Sequence, residues 1–294
     1  MKVSVVIATY NKKDYLRKCL TSLMSQTHKP DELILVDNGS TDGTAEMIKK
    51  RFPDVKLISL PWNLGLCKGY NIGFKNARCE YVMILDDDSI LPKNWIKTIL
   101  ADFKKEPKTT GVITSSQKQK IGNQKGYEII GKEGGYVHTF LGGGSIFKKE
   151  VLDKVGYFYE DYYRYAQEPD LSARIINAGY RIKRDTSIFS IHLSWGVTNS
   201  PDRFFHYVKA NLWFIWRYFS EKDVIIYTSA YLFYFFWLAI KKKYILTYFK
   251  SVAVSVLNIP NCLRTREVVH SEDFKKEFNI FKFIRLFVKN ELKI

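Results

Sequence analysis

Tyr81-Val82-Met83-Ile84-Leu85-Asp86-Asp87-Asp88 reads as a buried apolar strand that runs out into three successive carboxylates. Open α/β sheets bind their ligands beyond the carboxyl ends of their strands, so this stretch predicts a site as well as a strand. Three carboxylates repel one another unless a cation offsets their charge. The spacing Asp86-x-Asp88 has the chemistry for a hard divalent ion, Mg2+ or Mn2+, that also holds the phosphates of a nucleotide. Taken alone, the triplet reads equally as a solvated acidic turn before Pro92.

Working outward, apolar runs alternate with helical periodicity. Residues 3–8 form a first strand, after which Tyr15, Leu16, Cys19, Leu20, Leu23 and Met24 recur on one helical face. Residues 33–36 form a second strand, followed by the capping-rich turn Asp37-Asn38-Gly39-Ser40-Thr41-Asp42-Gly43 and a helix to about Lys50. Residues 55–60, 81–85 and 112–115 supply three more strands. The alternation predicts an α/β fold: a doubly wound, mostly parallel sheet with helices on both faces. Gly65, Gly69 and Gly73 are four apart and share a helical face. Glycine inside a helix costs about 1 kcal/mol against alanine, so this helix closely approaches the sheet, a ligand or both. Residues 117–135 dissolve into Gly, Lys and polar types and predict a surface excursion. Gly142-Gly143-Gly144-Ser145 has neither the Lys-Ser/Thr of a P-loop nor a dinucleotide fingerprint. Glu168-Pro169-Asp170-Leu171, with Pro169 suited to a first helical position, opens a helix that runs to about Ala178.

The 294 residues are 46% hydrophobic, enough for one sizeable domain and an appendage. The formal charge is +16, and the residues from Pro201 onward hold 16 Lys and Arg against 8 Asp and Glu. Such a balance suits an anionic membrane or a phosphorylated substrate; no nucleic-acid module is legible, so nucleic acid is not expected as a partner. Cys19, Cys67, Cys79 and Cys262 are scattered, against a zinc site or disulfide framework and in favour of a reducing compartment. The apolar run at residues 3–8 is too short for a signal peptide, so a cytoplasmic catalytic part is expected.

Residues 224–240 are apolar and aromatic, broken only by Thr228 and Ser229, and Lys241-Lys242-Lys243 follows. That length is the lower limit for a span, and its Tyr and Phe favour the membrane interface. Farther on, Phe274, Phe278, Phe281 and Val288 share a helical face, with Lys275, Lys282, Arg285 and Lys289 elsewhere. Basic amphipathic helices of this kind lie in the plane of anionic membranes; amphipathic helices also fold back onto their own domain. The expectation is a peripheral protein on the inner face of the cell membrane.

Five ordered motifs resemble those of the family-two glycosyltransferases, in particular rhamnosyl- or galactosyl-type transferases of bacterial and archaeal surface polysaccharide assembly. They are Val5-Val6-Ile7-Ala8-Thr9-Tyr10-Asn11, Val36-Asp37-Asn38-Gly39-Ser40-Thr41-Asp42-Gly43-Thr44, Asn63-Leu64-Gly65, Leu85-Asp86-Asp87-Asp88, and Glu168 to Arg174 with His192 downstream. The resemblance covers roughly residues 1–215. It implies the GT-A fold, with a nucleotide-sugar half at about 1–115 and an acceptor half at about 116–215, before a basic helical extension at 216–294. It also implies a nucleotide-diphosphate sugar donor, a saccharide or lipid-linked acceptor, a divalent metal and inversion at the anomeric carbon. By resemblance Asp88 binds the metal directly, Asp86 contacts the ribose or the metal through water, and His192 completes the coordination. Thr9, Tyr10, Asn11 and Asp37 hold the nucleoside, and Asn63, Gly65, Lys68 and Asp87 belong with the donor site. The family's carboxylate doublet falls at Gln167-Glu168, so this chain departs at the first position. Glu168 matches the second, which carries the base, while Asp170 reads as a structural carboxylate near the helix start. On their own chemistry His192 serves equally as a structural residue or a diphosphate donor, and Asp37 as an Asx-turn former.

Three other functions compete. A polyprenyl-phosphate sugar synthase shares the first half and a membrane tail but is not expected to carry the 168–174 helix. A sugar-nucleotide pyrophosphorylase needs a Gly-rich basic loop after the first strand, where Thr9-Tyr10-Asn11-Lys12 stands. A non-enzymatic membrane scaffold leaves the Asp triplet and Glu168 without purpose.

Overall fold

A computed structural model describes residues 1–120, 127–194, 200–271 and 274. The chain forms two compact units: Met1–Tyr163 with Gln167–Trp195, and Arg164–Ala166 with Gly196–Ile294. The first holds β1 (Val3–Thr9), α1 (Lys13–Met24), β2 (Glu32–Asp37), α2 (Thr44–Arg51), β3 (Lys56–Ser59), α3 (Leu66–Asn76), β4 (Tyr81–Ile84), β5 (Ser89–Ile90), α4 (Trp95–Phe103) and β6 (Thr110–Lys120). It continues through β7 (Tyr127–Ile130), β8 (Gly135–Val137), β9 (Ser145–Lys148), α5 (Lys149–Val155), α6 (Gln167–Asn177) and β10 (Arg181–His192). The second unit contains α7 (Pro201–Tyr218), α8 (Glu221–Lys242), α9 (Ile245–Leu257) and α10 (Ile259–Arg264). Pro201 at N1 and Ser200, whose side chain accepts from Arg203 N, start a helix that belongs with the extension.

The main sheet runs β3-β2-β1-β4-β9-β6-β10-β5. The first four strands are parallel, as the sequence predicts. Beyond β4 the sheet is mixed: β9 lies antiparallel between β4 and β6, β10 runs parallel to β6, and β5 pairs antiparallel with β10. The excursion expected over residues 117–135 is partly sheet. β6 continues to Lys120 and β7 pairs back onto it, Gln117 opposite Ile130 and Lys120 opposite Tyr127. The extension escaped the hydrophobic pattern because its buried positions include Ser115, Ser116, Gln117 and Gln119 rather than aliphatic side chains. Residues 121–126 of that stretch lie outside the described residues, as do Phe278, Phe281 and Val288 of the distal amphipathic stretch.

The helical periodicity of α1 becomes packing, with Leu16, Cys19, Leu20 and Leu23 fully buried in a core that includes Val5, Ile7, Leu35, Met83 and Trp95. The glycines of α3 answer the question of close approach. A Cβ on Gly73 would come within 2.2 Å of Val6 Cγ1, and one on Gly69 within 2.6 Å of Asn38 Nδ2. These two glycines seat α3 on the sheet.

Asp170 is fully buried and pairs with Arg174 at 2.7 Å, while Arg174 also donates to the carbonyls of Val155, Gly156 and Tyr157. The pair staples α6 to the end of α5. Breaking a buried pair leaves an uncompensated charge, so Asp170→Asn is expected to lower stability by about 3 kcal/mol. The change should appear as a lower urea midpoint at unchanged slope, with the kcat of the folded fraction retained.

Candidate active site

Parallel register aligns Thr9, Asp37 and Ser59 across the ends of β1, β2 and β3. Asp86, Asp87 and Asp88 follow β4 on the same edge. The sheet then brings a distant strand to them: β5 pairs with β10 so that Ser89 faces His192, and Leu193 N donates to Asp88 O at 2.9 Å. His192 Nε2 consequently stands 3.0 Å from Asp88 Oδ1 and 3.8 Å from Asp86 Oδ2. Among the described residues these three form a group whose candidate ligand atoms all lie within 4.8 Å of one another.

The arrangement fits a divalent cation. Asp88 Oδ1 is buried and receives no aligned hydrogen bond from the described residues, despite the imidazole nitrogen beside it. Two ligand atoms facing each other at this distance suit a shared ion. Carboxylates suit Mg2+ or Mn2+, and an imidazole nitrogen adds a further ligand. Gln119 Nε2 lies 3.4 Å from His192 Nδ1. Turning that amide end for end makes it the acceptor for an Nδ1 proton and leaves Nε2 free to ligate.

Two contacts on Asp88 escaped the sequence reading. Lys12 Nζ lies 2.6 Å from Asp88 Oδ2 and 3.1 Å from Asp87 Oδ1, and Ser194 Oγ donates to the same Asp88 oxygen. Burial alone pushes the Asp88 carboxyl up, but His192 and Lys12 outweigh it and hold it well below the usual range. Burial and Asp88 push Asp87 up to about 6 against the pull of Lys12. Asp87 is otherwise committed to the sheet, since its second oxygen accepts from Thr9 Oγ1 at 2.7 Å. The only sequence signal for Lys12 was its place just past the end of β1. Lys12→Met should lower the stability of the metal-free protein by about 2 kcal/mol, less than for a fully buried pair, because the lysine side chain is 30% exposed. The same variant should show a larger melting shift with Mn2+, the internal counter-cation being gone.

Glu168 lies in the first turn of α6, beside Asp86. Gly142 makes the juxtaposition possible: a Cβ there would fall 2.9 Å from Glu168 Oε1 and 3.3 Å from both Asp86 oxygens. Burial first, and then the charge of Asp86, push the Glu168 carboxyl up to about 7. Tyr70 Oη, 3.0 Å from Leu85 O and 3.3 Å from Asp86 Oδ1, steadies the other side of Asp86. Neither Gly142 nor Tyr70 carried a sequence signal of its own, although the glycine triplet at 142–144 was conspicuous.

The remaining predicted residues frame the donor edge. Asp37 is buried and its Oδ1 accepts from Ser40 N at 3.0 Å, so the Asx turn is formed. Asn11, at φ 51°, accepts from Thr41 N at 2.8 Å and so ties the turn after β1 to the one after β2. Tyr10 is exposed. At the start of α3, Asn63 Oδ1 accepts from Gly65 N at 2.9 Å, and Lys68 lies 3.9 Å from Glu160. Gly65 has φ 91°, and a Cβ on it would meet the Tyr163 ring at 2.4 Å. The structure therefore brings Asp86, Asp88, His192 and Glu168 together. It sets Thr9, Asn11 and Asp37 along one sheet edge, and Asn63, Gly65 and Lys68 at a helix start.

The sequence profile of glycosyl transferase family 2 matches residues 4–156. A poly-beta-1,6-N-acetyl-D-glucosamine synthase of Staphylococcus epidermidis is 34% identical over 175 residues, which cover 54% of this chain and 42% of that protein. Its namesake from Staphylococcus aureus strain MSSA476 is 30% identical over 197 residues, covering 62% and 47%. The chain thus spans a little under half the length of these relatives. Among solved structures, S. aureus TarS 1-349 in complex with UDP has a TM-score of 0.58 at 24% identity, over 73% of this chain and 65% of that one. Mannosyltransferase PcManGT from Pyrobaculum calidifontis, in complex with GDP-Man and Mn2+, has a TM-score of 0.60 at 16% identity, over 99% and 84%. These likenesses show the fold, the expected GT-A arrangement with a helical C-terminal region.

Proposed function

The chain belongs to glycosyl transferase family 2, and from that premise we propose that it transfers an N-acetylhexosamine, with inversion, from a uridine diphosphate sugar to a hydroxyl of a saccharide or lipid-linked saccharide. The observation that carries the reaction is the meeting of Asp86, Asp88 and His192 with Glu168 across the side-chain-free Gly142. The choice of sugar, over the rhamnosyl or galactosyl type expected from the motifs, is supported by the relatives named for poly-N-acetylglucosamine synthesis.

Asp86, Asp88 and His192 would hold Mg2+ or Mn2+, which when bound neutralises the growing charge of the departing diphosphate. Thr9, Tyr10, Asn11 and Asp37 orient the nucleoside along the sheet edge, and Asn63, Gly65 and Lys68 complete the donor site from the start of α3. Glu168 takes the proton of the acceptor hydroxyl as that oxygen attacks the anomeric carbon opposite the leaving group. A carboxyl with a pKa near 7 is a stronger base than an ordinary glutamate and is still substantially ionised at neutral pH. Asp170 is unsuited to the task, because its charge is spent on Arg174. Lys12, Ser194 and Tyr70 act as positioning residues that keep Asp86 and Asp88 in place. The location that goes with a lipid-linked acceptor is peripheral, on the cytoplasmic face of a membrane.

Incubation with Mn2+ and a panel of UDP-, GDP- and dTDP-sugars tests this reading, with donor hydrolysis and melting temperature as readouts. UDP-N-acetylhexosamines should be hydrolysed and should protect. Protection by a GDP- or dTDP-sugar with none from any UDP-sugar would overturn the donor assignment.

A further inference from the structure

Helix α9 has the polarity of a helix turned inside out. Its buried face is Tyr248, Ser251 and Ser255, and both serines are fully buried. Their hydroxyls are satisfied within the helix: Ser251 Oγ donates to Tyr248 O and Ser255 Oγ to Ser251 O, each at 2.7 Å. The apolar side chains face outward instead, Leu246 being 86% exposed, Phe249 56% and Leu257 82%. A helix that packs in water puts its apolar stripe inward. The neighbouring α8 repeats the pattern on one side: Tyr231, Phe235 and Leu238 are buried, while Ile225, Phe233 and Ile240 stand 70%, 78% and 51% exposed. The Phe236 and Phe249 rings lie 6.2 Å apart, so the two outward faces are continuous. Contiguous apolar surface of this kind marks an interaction site rather than ordinary exterior.

The charge around the face identifies its partner. From Val224 to Arg266 the chain has six Lys and Arg residues and no Asp or Glu. Lys243 and Lys250 are themselves exposed. A second protein surface would require a matching apolar patch; a bilayer with anionic headgroups offers both complements at once. We propose that the joined outer faces of α8 and α9 form a lipid-docking surface that lies in the plane of an anionic membrane leaflet. α8 is long and apolar enough to cross a membrane by length and composition, about 33 Å at 1.5 Å per residue. α9, with 13 residues, is about 20 Å long and is too short. A spanning α8 would draw α9 and Lys250 into hydrocarbon. In the plane, the lysine stems lie along the apolar surface and their ammonium groups reach the headgroups. The inference deepens the peripheral location proposed above and does not depend on which sugar is moved.

The full chain is mixed with vesicles of phosphatidylcholine, or of phosphatidylcholine and phosphatidylglycerol in equal parts, and sedimented. It should pellet with the anionic vesicles, be released by alkaline carbonate, and pellet poorly with the neutral ones. The triple variant Leu246→Glu, Phe249→Glu, Leu257→Glu should lose affinity for the anionic vesicles by at least about tenfold, since each added carboxylate is repelled and each lost side chain withdraws apolar area. Its melting temperature and donor hydrolysis in detergent-free solution should stay at wild-type values. Vesicle binding unchanged in the variant overturns the surface assignment. Wild type that ignores both vesicles and forms a concentration-dependent dimer makes the face a contact between copies. Resistance to carbonate makes α8 a span. Loss of donor hydrolysis with vesicle binding intact counts against the reaction alone.

Discussion

Asp88→Ala is expected to lower kcat by roughly 10²–10³-fold or more, the scale of losing one preorganised electrostatic contact to a charge that grows in the transition state. The residue has more at stake than a single ligand position. Lys12, Ser194 and His192 all converge on its two oxygens, so its removal releases three neighbours together with a place for the ion. Its position, in the turn after β4 and outside the apolar core, means that the fold should survive at lower stability, the Lys12 pair being lost. Two measurements check the assignment independently of turnover. The melting shift produced by Mn2+ with UDP should vanish in the variant, and excess chelator should bring wild type to the variant's rate. Full activity in either case would remove the metal from the reaction.

Glu168→Gln keeps the shape of the side chain and takes away its basicity. The expected fall in kcat is about 10²–10⁴-fold, with donor protection in melting experiments close to wild type. The pH dependence follows from the environment. Glu168 accepts a proton only when ionised, and burial together with Asp86 pushes its carboxyl up to about 7. Activity should therefore fall as pH drops through the neutral range, and a bound divalent ion, by favouring the ionised form, moves the midpoint downward. The Gln variant should lack this acidic limb. If Asp170→Asn loses turnover and Glu168→Gln does not, the base has been assigned to the wrong carboxylate.

Much of this architecture is legible in local pattern. The strand at residues 81–85 with its terminal carboxylates, the apolar face of α1 and the proline-marked start of α6 each depend on residues a few positions apart, and burial enforces those short periods directly. The parallel half of the sheet follows, and with it the common edge of Thr9, Asp37 and Asp86. The location of Glu168 near a helix start is local too; its elevated pKa is not, because that depends on Asp86 and on burial.

What decided the site lies at long range. Lys12 and Asp88, or Asp88 and Ser194, share no sequence period, and only the folded sheet makes them neighbours. His192 becomes a ligand candidate because β5 pairs with β10, and Glu168 faces Asp86 because Gly142 leaves the space between them. The antiparallel insertion of β9 and the length of β6 were hidden for a related reason. Ser115, Ser116, Gln117 and Gln119 of β6 and Ser145 of β9 are buried although polar, and Ser145 bonds Thr114 of β6, so no hydrophobic alternation announces them. The outward face of α9 completes the contrast: composition marks the tail as apolar and basic, but which side chains point away from the protein is settled by the helices packed against the other side.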